Sequence, residues 1–554
     1  MSEQKKVVII GGVAGGASAA AKARRISEKA EIILFERGEY ISFANCGLPY
    51  HIGGTIDDRR RLLVQTPQSM QTRFRIDVRT HSEVIAINRE KKEITVRETE
   101  NGNEYIETYD TLVLSPGAEP NRFPIPGIDS KNVYTLRSMN DMDAIMNSMN
   151  ENKTGQVVVV GGGYIGLEVA EALRQRGTRV TLVELAPQVM VTADPEMTAL
   201  IKHKLIEQGV NLKLNTSVAS IRTDGDITQV ELSNGETVSC GLVVFSVGVR
   251  PDIAFARDAG LEIGERGGIV VDEHMRTSDP DIFAVGDAVE VTDLVGGFQA
   301  VIPLAGPANR QGRIAADNIF GRDSVYKKTQ GTAICKVFDA TIAMTGMNEK
   351  GLKRIGRKYE KIYVHPADHA TYYPGASPIS LKLLFDPENG TILGAQAVGF
   401  NGIDKRIDVL AVAIRAGMTV YDLEHLELAY APPYGSAKDP VNFAGFAAAN
   451  ILRGDVDVCH YEDVITPGSD RIILDVRTKS EFKAGTVPDA VNISVDDLRD
   501  HLDELPKDKE ILVICQVGLR GYLACRILKQ HGFKCRNFSG GYQSYLDFVY
   551  SMAH

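Results

Sequence analysis

The sequence has few cysteines for its length, no surplus of positive charge and no long apolar run. Its seven cysteines are an odd number in 554 residues, and none forms a Cys-x-x-Cys pair, which argues against structural disulfides and a zinc ribbon. The net charge of -10 does not fit the basic face of a general nucleic-acid binder. No stretch approaches the roughly twenty apolar residues of a membrane helix, and the N-terminal apolar run is too short for a signal peptide. We therefore expect a cytoplasmic protein that binds neither nucleic acid nor membranes, and no metal site.

Four blocks follow one another along the chain, and the first two open with the same pattern of strand, glycine turn and helix. The second opening starts at Gln156 and runs through Val157-Val158-Val159-Val160 into glycines. This internal repeat indicates two dinucleotide sites. The third block, about 330–450, mixes strands with a helical stretch near 404–417. The fourth follows a polar connector containing Pro467-Gly468 and has the size of a small α/β domain.

The first glycine turn follows a buried-type strand and opens an alanine-rich helix. It reads Gly11-Gly12-Val13-Ala14-Gly15-Gly16, so Val13 replaces the middle glycine of G-x-G-x-x-G. Such a turn lets backbone N–H groups approach a pyrophosphate, which then faces the helix N-terminus. Glu36 follows the next strand about twenty residues on, where an acid can hold ribose hydroxyls. The alternative is a glycine-rich turn of any α/β protein.

The second glycine turn matches the full pattern. It reads Gly161-Gly162-Gly163-Tyr164-Ile165-Gly166 and follows four valines. Glu184 ends the following strand, and an acid there favours the free 2′-hydroxyl of NADH over the 2′-phosphate of NADPH. No arginine stands next to Glu184 to hold that phosphate, although a side chain from elsewhere could do so.

Three further segments carry a resemblance to a known family. They are Thr111-Leu112-Val113-Leu114-Ser115-Pro116-Gly117-Ala118, Val247-Gly248-Val249-Arg250-Pro251 and Asp281-Ile282-Phe283-Ala284-Val285-Gly286-Asp287-Ala288. Over about residues 5–450, the chain resembles the pyridine nucleotide–disulfide oxidoreductase superfamily. The resemblance implies FAD contacts from Gly11, Gly12, Ala14, Gly15, Gly16, Glu36, Ala118 and Asp287, the last at the ribityl chain. It implies NAD(P)H contacts from Gly161, Gly163, Tyr164, Ile165, Gly166, Glu184 and Gly248.

The resemblance also implies the domain order of an α/β protein. Two Rossmann-like domains would bind FAD (1–154 and 276–328) and NAD(P)H (155–275). An α+β dimerisation domain (329–453), a linker (454–470) and a small α/β domain (471–554) would follow. The expected assembly is a homodimer with shared active sites.

Cys46 is the predicted chemical centre of this part of the chain. It stands in Ser42-Phe43-Ala44-Asn45-Cys46-Gly47-Leu48-Pro49-Tyr50, and the positions five residues away are Ile41 and His51. Two-cysteine members of the superfamily carry a second cysteine at that spacing, so here the oxidised state must be a sulfenic acid or a mixed disulfide with a small thiol. A position that opens a helix should lower the pKa of the thiol. The alternative is a buried structural cysteine.

Among single-cysteine members, the motif around Cys46 is most similar to that of the coenzyme A-disulfide reductases. Two further segments agree, His369-Ala370-Thr371-Tyr372-Tyr373-Pro374-Gly375 and Ala429-Tyr430-Ala431-Pro432-Pro433-Tyr434. The resemblance implies that Tyr372 and Tyr430 reach the partner subunit's active site, where a phenol could protonate a leaving thiolate. Interface packing is the alternative role. The resemblance implies coenzyme A contacts from Lys22, Arg25, Ser42, Asn45 and Asn309, whereas Arg59-Arg60-Arg61 serves either phosphates or a solvated basic face.

The C-terminal block carries a second cysteine motif. Cys515-Gln516-Val517-Gly518-Leu519-Arg520 follows a strand and precedes a helix at about Tyr522. Such a loop turns backbone N–H groups inward as a nest for an anion, so Cys515 should be a thiolate whose persulfide is held by the same donors, with Arg520 adding charge. With the segments 475–482 and 485–493, the block resembles the single-domain rhodanese family. A catalytically dead module is the alternative.

These motifs together predict an FAD-dependent NAD(P)H:coenzyme A-disulfide or coenzyme A-persulfide (polysulfide) reductase with a rhodanese domain that handles sulfane sulfur. Fusion of the two parts would raise the effective concentration of Cys515 at Cys46. The first rival is an NADH oxidase or peroxidase in which Cys46 cycles through sulfenic acid. The second is a redox-sensing sulfur carrier. The sequence leaves open whether the disulfide, the persulfide or polysulfide is the substrate.

Overall fold

The computed structural model describes residues 5–151, 155–465, 468 and 470–552. It forms two compact units, Met1–Leu185 with Gly209–Gly331, and Ala186–Gln208 with Thr332–His554. Residues 186–208, which the sequence assigned to the NAD(P)H-binding domain, therefore pack with the C-terminal half of the chain. Within the described ranges, no helix combines the length and apolarity that crossing a membrane requires.

The described residues of the first unit contain a parallel sheet of five strands that carries the first glycine turn. Its Val- and Ile-rich central strands are buried along their length, as expected for a sheet covered on both faces. A Cβ on Gly312 would lie 2.2 Å from the Gly15 carbonyl oxygen, so the helices Ala14–Ile26 and Ala305–Ile319 pack in close contact. In sheet order the strands are Ile282–Ala284, Thr111–Leu114, Lys6–Ile10, Glu31–Phe35 and Asp77–Arg79.

A second parallel sheet in this unit repeats the arrangement around the second glycine turn. Gln156–Val160 pairs with Arg179–Val183 in the same register in which Lys6–Ile10 pairs with Glu31–Phe35. This pairing confirms the internal repeat. In sheet order the described strands are Asn211–Lys213, Arg179–Val183, Gln156–Val160, Leu242–Phe245 and Val133–Thr135.

Smaller sheets and further helices complete the described part of the first unit. The small sheets are Ser82–Asn88, Glu93–Glu98 and Glu104–Thr108; Val218–Asp224, Ile227–Leu232 and Thr237–Cys240; Val249–Pro251 with Ala118–Pro120; and Ile269–Val270, Val289–Thr292 and Gln299–Ala300. The other α-helices are Leu48–Gly53, Pro67–Phe74, Met139–Glu151, Tyr164–Gln175 and Ala254–Asp258. Short 3-10 turns are Asn45–Gly47, Arg59–Leu62 and Gly286–Ala288.

The second unit contains an antiparallel sheet, as the strands predicted for the third block require, and the predicted helix near 404 is confirmed. Its described strands, in sheet order, are Ala333–Val337, Ala340–Gly346, Ile392–Gly399, Ile379–Phe385 and Glu360–Val364. The accompanying helices are Ala199–Glu207, Glu349–Arg354, Ile403–Arg415, Val420–Glu424 and Pro440–Leu452, with the 3-10 turn Pro195–Thr198.

A parallel sheet also lies in the second unit and carries Cys515. It begins inside the segment expected to be a linker, because Val458–Cys459 pairs with Cys535–Phe538 and buries Cys459. Residues 466, 467 and 469 of that segment lie outside the described residues. The described strands, in sheet order, are Val458–Cys459, Cys535–Phe538, Glu510–Ile514, Arg471–Asp475 and Val491–Asn492. The helices are Tyr461–Ile465, Lys479–Ala484, Leu519–Gln530 and Gly541–Met552, with 3-10 turns at Leu498–Asp500 and Leu502–Glu504.

Candidate active site

A cavity of about 840 Å³ in the first unit brings together the first glycine turn and Cys46. Among the residues predicted to bind FAD, those that line it are Gly11, Ala14, Gly15, Glu36, Ala118 and Asp287. The other two, Gly12 and Gly16, lie in the turn but outside the lining. Asn45 and Cys46 line the same cavity, which places the thiol beside the expected dinucleotide site.

The first turn needs glycine where the chain makes its closest approaches. Gly11 has φ +94, and a Cβ there would lie 2.0 Å from the Ser115 carbonyl oxygen. A Cβ on Gly16 would lie 1.9 Å from the Gly11 carbonyl oxygen. Val13 stands where the pattern has glycine, and its φ of -94 is one that any residue adopts. The Gly12 N–H donates to Glu36 Oε2 at 2.9 Å, so the acid also fixes the turn.

The second turn has the same geometry. Gly161 has φ +105, and a Cβ on Gly166 would lie 1.9 Å from the Gly161 carbonyl oxygen. The Gly162 N–H donates to Glu184 Oε2 at 2.6 Å, as Gly12 does to Glu36. The helix Tyr164–Gln175 starts directly after Gly163, and its second residue, Ile165, is exposed. Gly248 has φ +90 and lies next to Asn121.

Cys46 lies in the 3-10 turn Asn45–Gly47, directly before the helix Leu48–Gly53. Its side chain is exposed to the cavity, and its backbone N–H donates to Asn45 Oδ1 at 3.0 Å. The expected lowering of the thiol pKa is wrong. Burial by the surrounding protein raises the pKa of Cys46, the carboxylates of Glu168 and Asp287 raise it further, and a backbone hydrogen bond lowers it by less. Burial and the two carboxylates together raise the pKa of the thiol by more than the backbone hydrogen bond lowers it, so the position before the helix does not produce a low pKa.

A second cavity of about 310 Å³ gathers three of the five predicted coenzyme A contacts. Arg25, Ser42 and Asn309 line it, and it shares Val13 and Ala14 with the larger cavity. Asn45 lines the larger cavity instead. Lys22 is not among the lining residues, and its ammonium lies 3.2 Å from Asp317 Oδ1.

The three consecutive arginines that follow Cys46 are each paired with an acid. Arg59 donates to Asp143 and lies 5.0 Å from the Tyr40 ring, Arg60 pairs with Asp58, and Arg61 lies 3.6 Å from Asp57. Arg60 and Arg61 are largely exposed, so they fit a solvated basic face better than a buried phosphate site.

Tyr372 and Tyr430 lie together in the second unit. Their hydroxyl oxygens are 2.6 Å apart, and both side chains are exposed, at 74% and 48%. The shared hydrogen bond raises the pKa of Tyr372. An exposed pair of phenols on one surface is available to a second subunit.

Two backbone hydrogen bonds hold the loop of Cys515, and one of them is donated to its sulfur. The Gly518 N–H donates to Cys515 Sγ at 3.0 Å, and the Tyr542 N–H donates to the Cys515 carbonyl at 2.7 Å. Cys515 is buried, whereas Val517 and Leu519 are exposed at the rim. The helix begins at Leu519, three residues before the predicted start, because Gly518 takes a left-handed conformation and caps it.

Two arginines, Arg520 and Arg477, form ion pairs with acidic residues beside this loop. Arg520 donates to both oxygens of Glu481, at 2.8 and 2.6 Å. Arg477, which the sequence analysis did not single out, is buried, pairs with Asp475, donates to Gln516 Oε1 at 3.2 Å and lies 4.1 Å from the Tyr542 ring. The sequence feature that could have identified Arg477 is its position in the segment 475–482, which resembles the rhodanese family.

Three carboxylates in the second unit, Asp194, Glu196 and Glu349, are close enough together to hold a metal ion. The ammonium of Lys382 lies among them, at 2.7, 2.5 and 2.5 Å. Although burial lowers the pKa of Lys382, the acidic groups around it raise the pKa well above its usual value. A cation from the chain itself therefore already lies among these carboxylates.

Comparison with known proteins decides the family. A model of the pyridine nucleotide-disulphide oxidoreductases matches residues 5–312, the dimerisation domain of that family matches 332–439, and a rhodanese-like domain matches 462–547. Coenzyme A disulfide reductase of Staphylococcus aureus is 37% identical over 444 residues, which are 80% of this chain and 99% of the relative. The chain belongs to the pyridine nucleotide-disulphide oxidoreductase family.

Two solved structures resemble this oxidoreductase over nearly its whole length. Reduced Bacillus anthracis CoADR-RHD is 48% identical with a TM-score of 0.95, and the match covers 98% of each chain. The NAD-dependent persulfide reductase from A. fulgidus is 39% identical with a TM-score of 0.90 and covers 98% of this chain and 100% of that one. The predicted fold class, with two nucleotide-binding domains, a dimerisation domain and a rhodanese-like domain, is confirmed.

This family of oxidoreductases uses FAD and NAD(P)H, and the first cavity fits a dinucleotide. Ala14 and Gly15, the first residues of their helix, line it, so the positive end of the helix faces the expected pyrophosphate. The close approaches at Gly11 and Gly16 exclude side chains at both positions, so the backbone of the turn stays accessible to a pyrophosphate. Glu36, the acid predicted to hold ribose hydroxyls, lines the same cavity.

Sequence reasoning missed two side chains near the predicted sites. Arg313 lines the smaller cavity, one helical turn after Asn309, and that i,i+4 spacing was the available signal. Glu168 follows the second glycine turn, and no local pattern in the sequence indicates its effect on Cys46.

Proposed function

We propose that this oxidoreductase reduces coenzyme A disulfide or coenzyme A persulfide with electrons from NAD(P)H, through FAD and Cys46. The observation that carries the proposal is the cavity shared by Cys46, the first glycine turn and Asp287. Among the described residues that line the cavity, Cys46 is the single cysteine. An oxidised Cys46 therefore has a substrate sulfur, not a second cysteine, as its partner.

Bound NAD(P)H and FAD supply the electron pair. Cys46 attacks the sulfur–sulfur bond of the substrate, forms a mixed disulfide or a persulfide, and releases the other sulfur as a thiolate. Arg25 and Arg313 in the smaller cavity present guanidinium groups suited to the phosphates of coenzyme A, and Ser42 and Asn309 offer polar contacts. The name of the S. aureus relative supports coenzyme A as the thiol.

The rhodanese-like domain, in this proposal, loads sulfane sulfur on Cys515. The Gly518 N–H beside the Cys515 sulfur would stabilise a thiolate or its persulfide. The name of the A. fulgidus relative supports persulfide as a substrate. Direct passage of sulfur from Cys515 to Cys46 is part of the proposal and is motivated by their fusion in one chain.

We also propose a homodimer in which Tyr372 and Tyr430 of one subunit complete the partner's site and protonate the leaving thiolate. Their exposure and the family's dimerisation domain support this arrangement. Glu184 supports NADH as the preferred donor, since it occupies the position of a ribose-binding acid. All seven cysteines, each within the described ranges, are free thiols, which supports a reducing, cytoplasmic location.

The test is anaerobic NADH consumption by the full chain with coenzyme A disulfide, coenzyme A persulfide and then air alone. Cys46→Ser should abolish turnover of both sulfur substrates. Cys515→Ser is the matched control, and it should leave turnover of the disulfide intact while slowing turnover of sulfane donors that are loaded through the rhodanese-like domain.

Each outcome separates the candidates. Turnover with the persulfide makes sulfane-sulfur reduction the main activity, and turnover with the disulfide alone makes the protein a thiol-pool reductase. Rapid turnover with air alone contradicts the proposal and favours an oxidase. Slow turnover of every small substrate favours a redox-sensing sulfur carrier.

A further inference from the structure

One buried arginine of the second unit contacts both loops that carry the exposed phenols, Tyr372 and Tyr430. Arg406 lies on the helix Ile403–Arg415, between the two loops in sequence, and it is 1% exposed. A buried guanidinium is tolerated only where acceptors surround it, because its removal from water is costly. The acceptors of Arg406 therefore show which segments it joins.

The first segment that Arg406 contacts is the loop of Tyr372, over residues 368–377. Arg406 Nη2 donates to the Asp368 carbonyl oxygen at 2.7 Å. The two ends of the loop are joined to each other, since the Asp368 N–H donates to the Ser377 carbonyl at 2.9 Å and the Ser377 N–H donates to Asp368 Oδ1 at 2.7 Å. The guanidinium therefore holds this loop at its closed base.

The second segment is the loop of Tyr430, which ends where the helix Pro440–Leu452 begins. Arg406 donates to both oxygens of Asp439, from Nη2 to Oδ2 at 2.8 Å and from Nε to Oδ1 at 3.3 Å. Asp439 is 3% exposed and caps the helix, since its Oδ1 accepts from the Val441 N–H at 3.1 Å. The planar guanidinium can bind this carboxylate and a carbonyl at once, whereas the ammonium of a lysine is a single point charge.

The two loops also contact each other, and the phenols meet at their surface. The Ala370 N–H donates to the Gly435 carbonyl at 3.0 Å, and the hydroxyl oxygens of Tyr372 and Tyr430 are 2.6 Å apart. A hydrogen bond between exposed hydroxyls contributes only about 1 kcal/mol, which does not by itself order two mobile side chains. The phenol pair therefore depends on the fixed loops beneath it, and Arg406 fixes both.

We propose that Arg406 is the positioning residue that keeps Tyr372 and Tyr430 together as one proton-donating pair for the partner's site. In sulfur–sulfur bond cleavage, the Cys46 thiolate forms a bond to one substrate sulfur, and the electron pair of the broken bond leaves on the other sulfur. This leaving thiolate takes a proton from one phenol and becomes a thiol. The phenolate that remains accepts the hydrogen bond of the second phenol and regains its proton from water. This inference rests on the proposed function.

The experiment compares substrates that do and do not need a proton on the leaving sulfur. Coenzyme A disulfide releases an alkyl thiolate, whereas the mixed disulfide of coenzyme A and thionitrobenzoate releases an aryl thiolate of low basicity, which leaves without a proton. Arg406→Lys keeps the buried charge but cannot bind both loops in the same geometry. In the FAD-loaded full chain, its kcat with coenzyme A disulfide should fall about 10- to 100-fold, and its kcat with the mixed disulfide should change by less than about twofold.

Three further variants complete the comparison. Tyr430→Phe removes one phenol and should show the same dependence on the leaving group with Arg406 intact. Asp439→Asn keeps a good helix cap and weakens only the pairing with Arg406, so it should show the same dependence at smaller size. Arg415→Lys is the matched control, since Arg415 is exposed on the same helix, and it should behave as the wild type.

This dependence on the leaving group separates positioning of a proton donor from general damage to the domain. If Arg406→Lys and Asp439→Asn slowed both substrates equally, Arg406 would serve stability alone, and the proposal would be overturned. The same conclusion would follow if Arg406→Lys retained full turnover of coenzyme A disulfide while Tyr430→Phe lost it.

A spectroscopic readout does not depend on activity. In protein labelled with fluorotyrosine, the fluorine NMR resonance of Tyr430 should move when Tyr372→Phe removes its hydrogen-bond partner, and this response should be lost when Arg406→Lys is also present. If the wild-type chain turned over neither disulfide but the response still required Arg406, the proposed function would be wrong and the positioning role would stand. A response that persists in Arg406→Lys would overturn the role of Arg406 alone.

Discussion

At the scale of single residues, Gly518 combines a special backbone conformation with a contact to the reactive sulfur. It has φ +98, its N–H donates to Cys515 Sγ, and its carbonyl accepts from Asn537 Nδ2 at 3.1 Å. Gly518→Ala should lower the free energy of unfolding by about 1–2 kcal/mol, because a side chain is strained in this region. It should also reduce sulfane loading of Cys515, measured by intact mass after exposure to a persulfide.

Gly532→Ala is the matched control for Gly518→Ala. Gly532 has φ +80, and an added Cβ there would meet open space. It therefore carries the same backbone strain without a contact to Cys515. Equal loss of sulfur loading in both variants would contradict a specific role of the Gly518 N–H.

At the scale of elements, Lys382 ties the strand Ile379–Phe385 to the segment 186–208 and to the helix Glu349–Arg354. Its side chain is fully buried among Asp194, Glu196 and Glu349. Lys382→Met should lower the free energy of unfolding by about 3–5 kcal/mol, because it leaves buried carboxylates without their cation. Urea unfolding measures this loss. Lys358→Met removes an exposed lysine, whose side chain is 81% exposed, and should have almost no effect. Similar losses in the two variants would rule out a special role for the buried cation.

The helix Gly541–Met552 carries a carboxyl group whose protonation should make the stability of the second unit depend on pH. Burial raises the pKa of Asp547 from 3.8 to about 7; the Gln543 hydrogen bond lowers it and Glu196 raises it. The stability that this group contributes is fully present below about pH 4 and is lost as pH rises through about 7. Since one pKa unit corresponds to about 1.4 kcal/mol, the loss is up to about 4 kcal/mol.

Asp547→Asn should remove this dependence. Between about pH 4 and 7.5, the free energy of unfolding of the wild-type chain should fall more steeply than that of the variant, as measured by urea titrations at each pH. Asp496→Asn, an exposed aspartate in the same part of the chain, is the control and should follow the wild type. Parallel curves for all three proteins would show that Asp547 is not the group responsible.

At the scale of the whole second unit, the C-terminal sheet is joined to the antiparallel sheet by a buried polar seam. The Tyr363 N–H donates to Ser539 Oγ at 3.0 Å, and the His365 and Ser544 side chains share a hydrogen bond of 2.8 Å. Burial lowers the pKa of His365 to about 4, so this histidine is neutral at physiological pH. The Tyr363 ring also packs edge-on against Phe548, with 5.9 Å between centroids.

A chain that ends at Arg453 should therefore be less stable than the full chain, because truncation exposes Tyr363 and removes Ser544, the partner of His365 Nε2. We expect a melting temperature lower by roughly 5 °C or more and increased aggregation, measured by scanning calorimetry and size-exclusion chromatography. Ser544→Ala in the full chain removes one seam hydrogen bond and should have a much smaller effect. An unchanged melting temperature after truncation would mean that the two sheets are thermodynamically independent.

Local backbone constraints explain why the nucleotide sites could be predicted. At Gly11 and Gly161, a positive φ and a carbonyl within van der Waals distance exclude other residues, so the motif itself carries the geometry. In the Cys515 loop, the positive φ of Gly518 alone favours glycine. The start of the helix after that loop and the extent of the linker were less well predicted, because both depend on pairing with residues far along the chain.

The sequence by itself determined the repeated strand–turn–helix units, the single cysteine at position 46 and the family. These features depend on short segments whose chemistry is local. Only the tertiary structure decided that Glu168 and Asp287 raise the pKa of Cys46, that Lys382 pairs with three carboxylates, and that Val458–Cys459 joins the C-terminal sheet. Each of these depends on desolvation or on contact between residues distant in sequence, and burial by distant segments has no local signature.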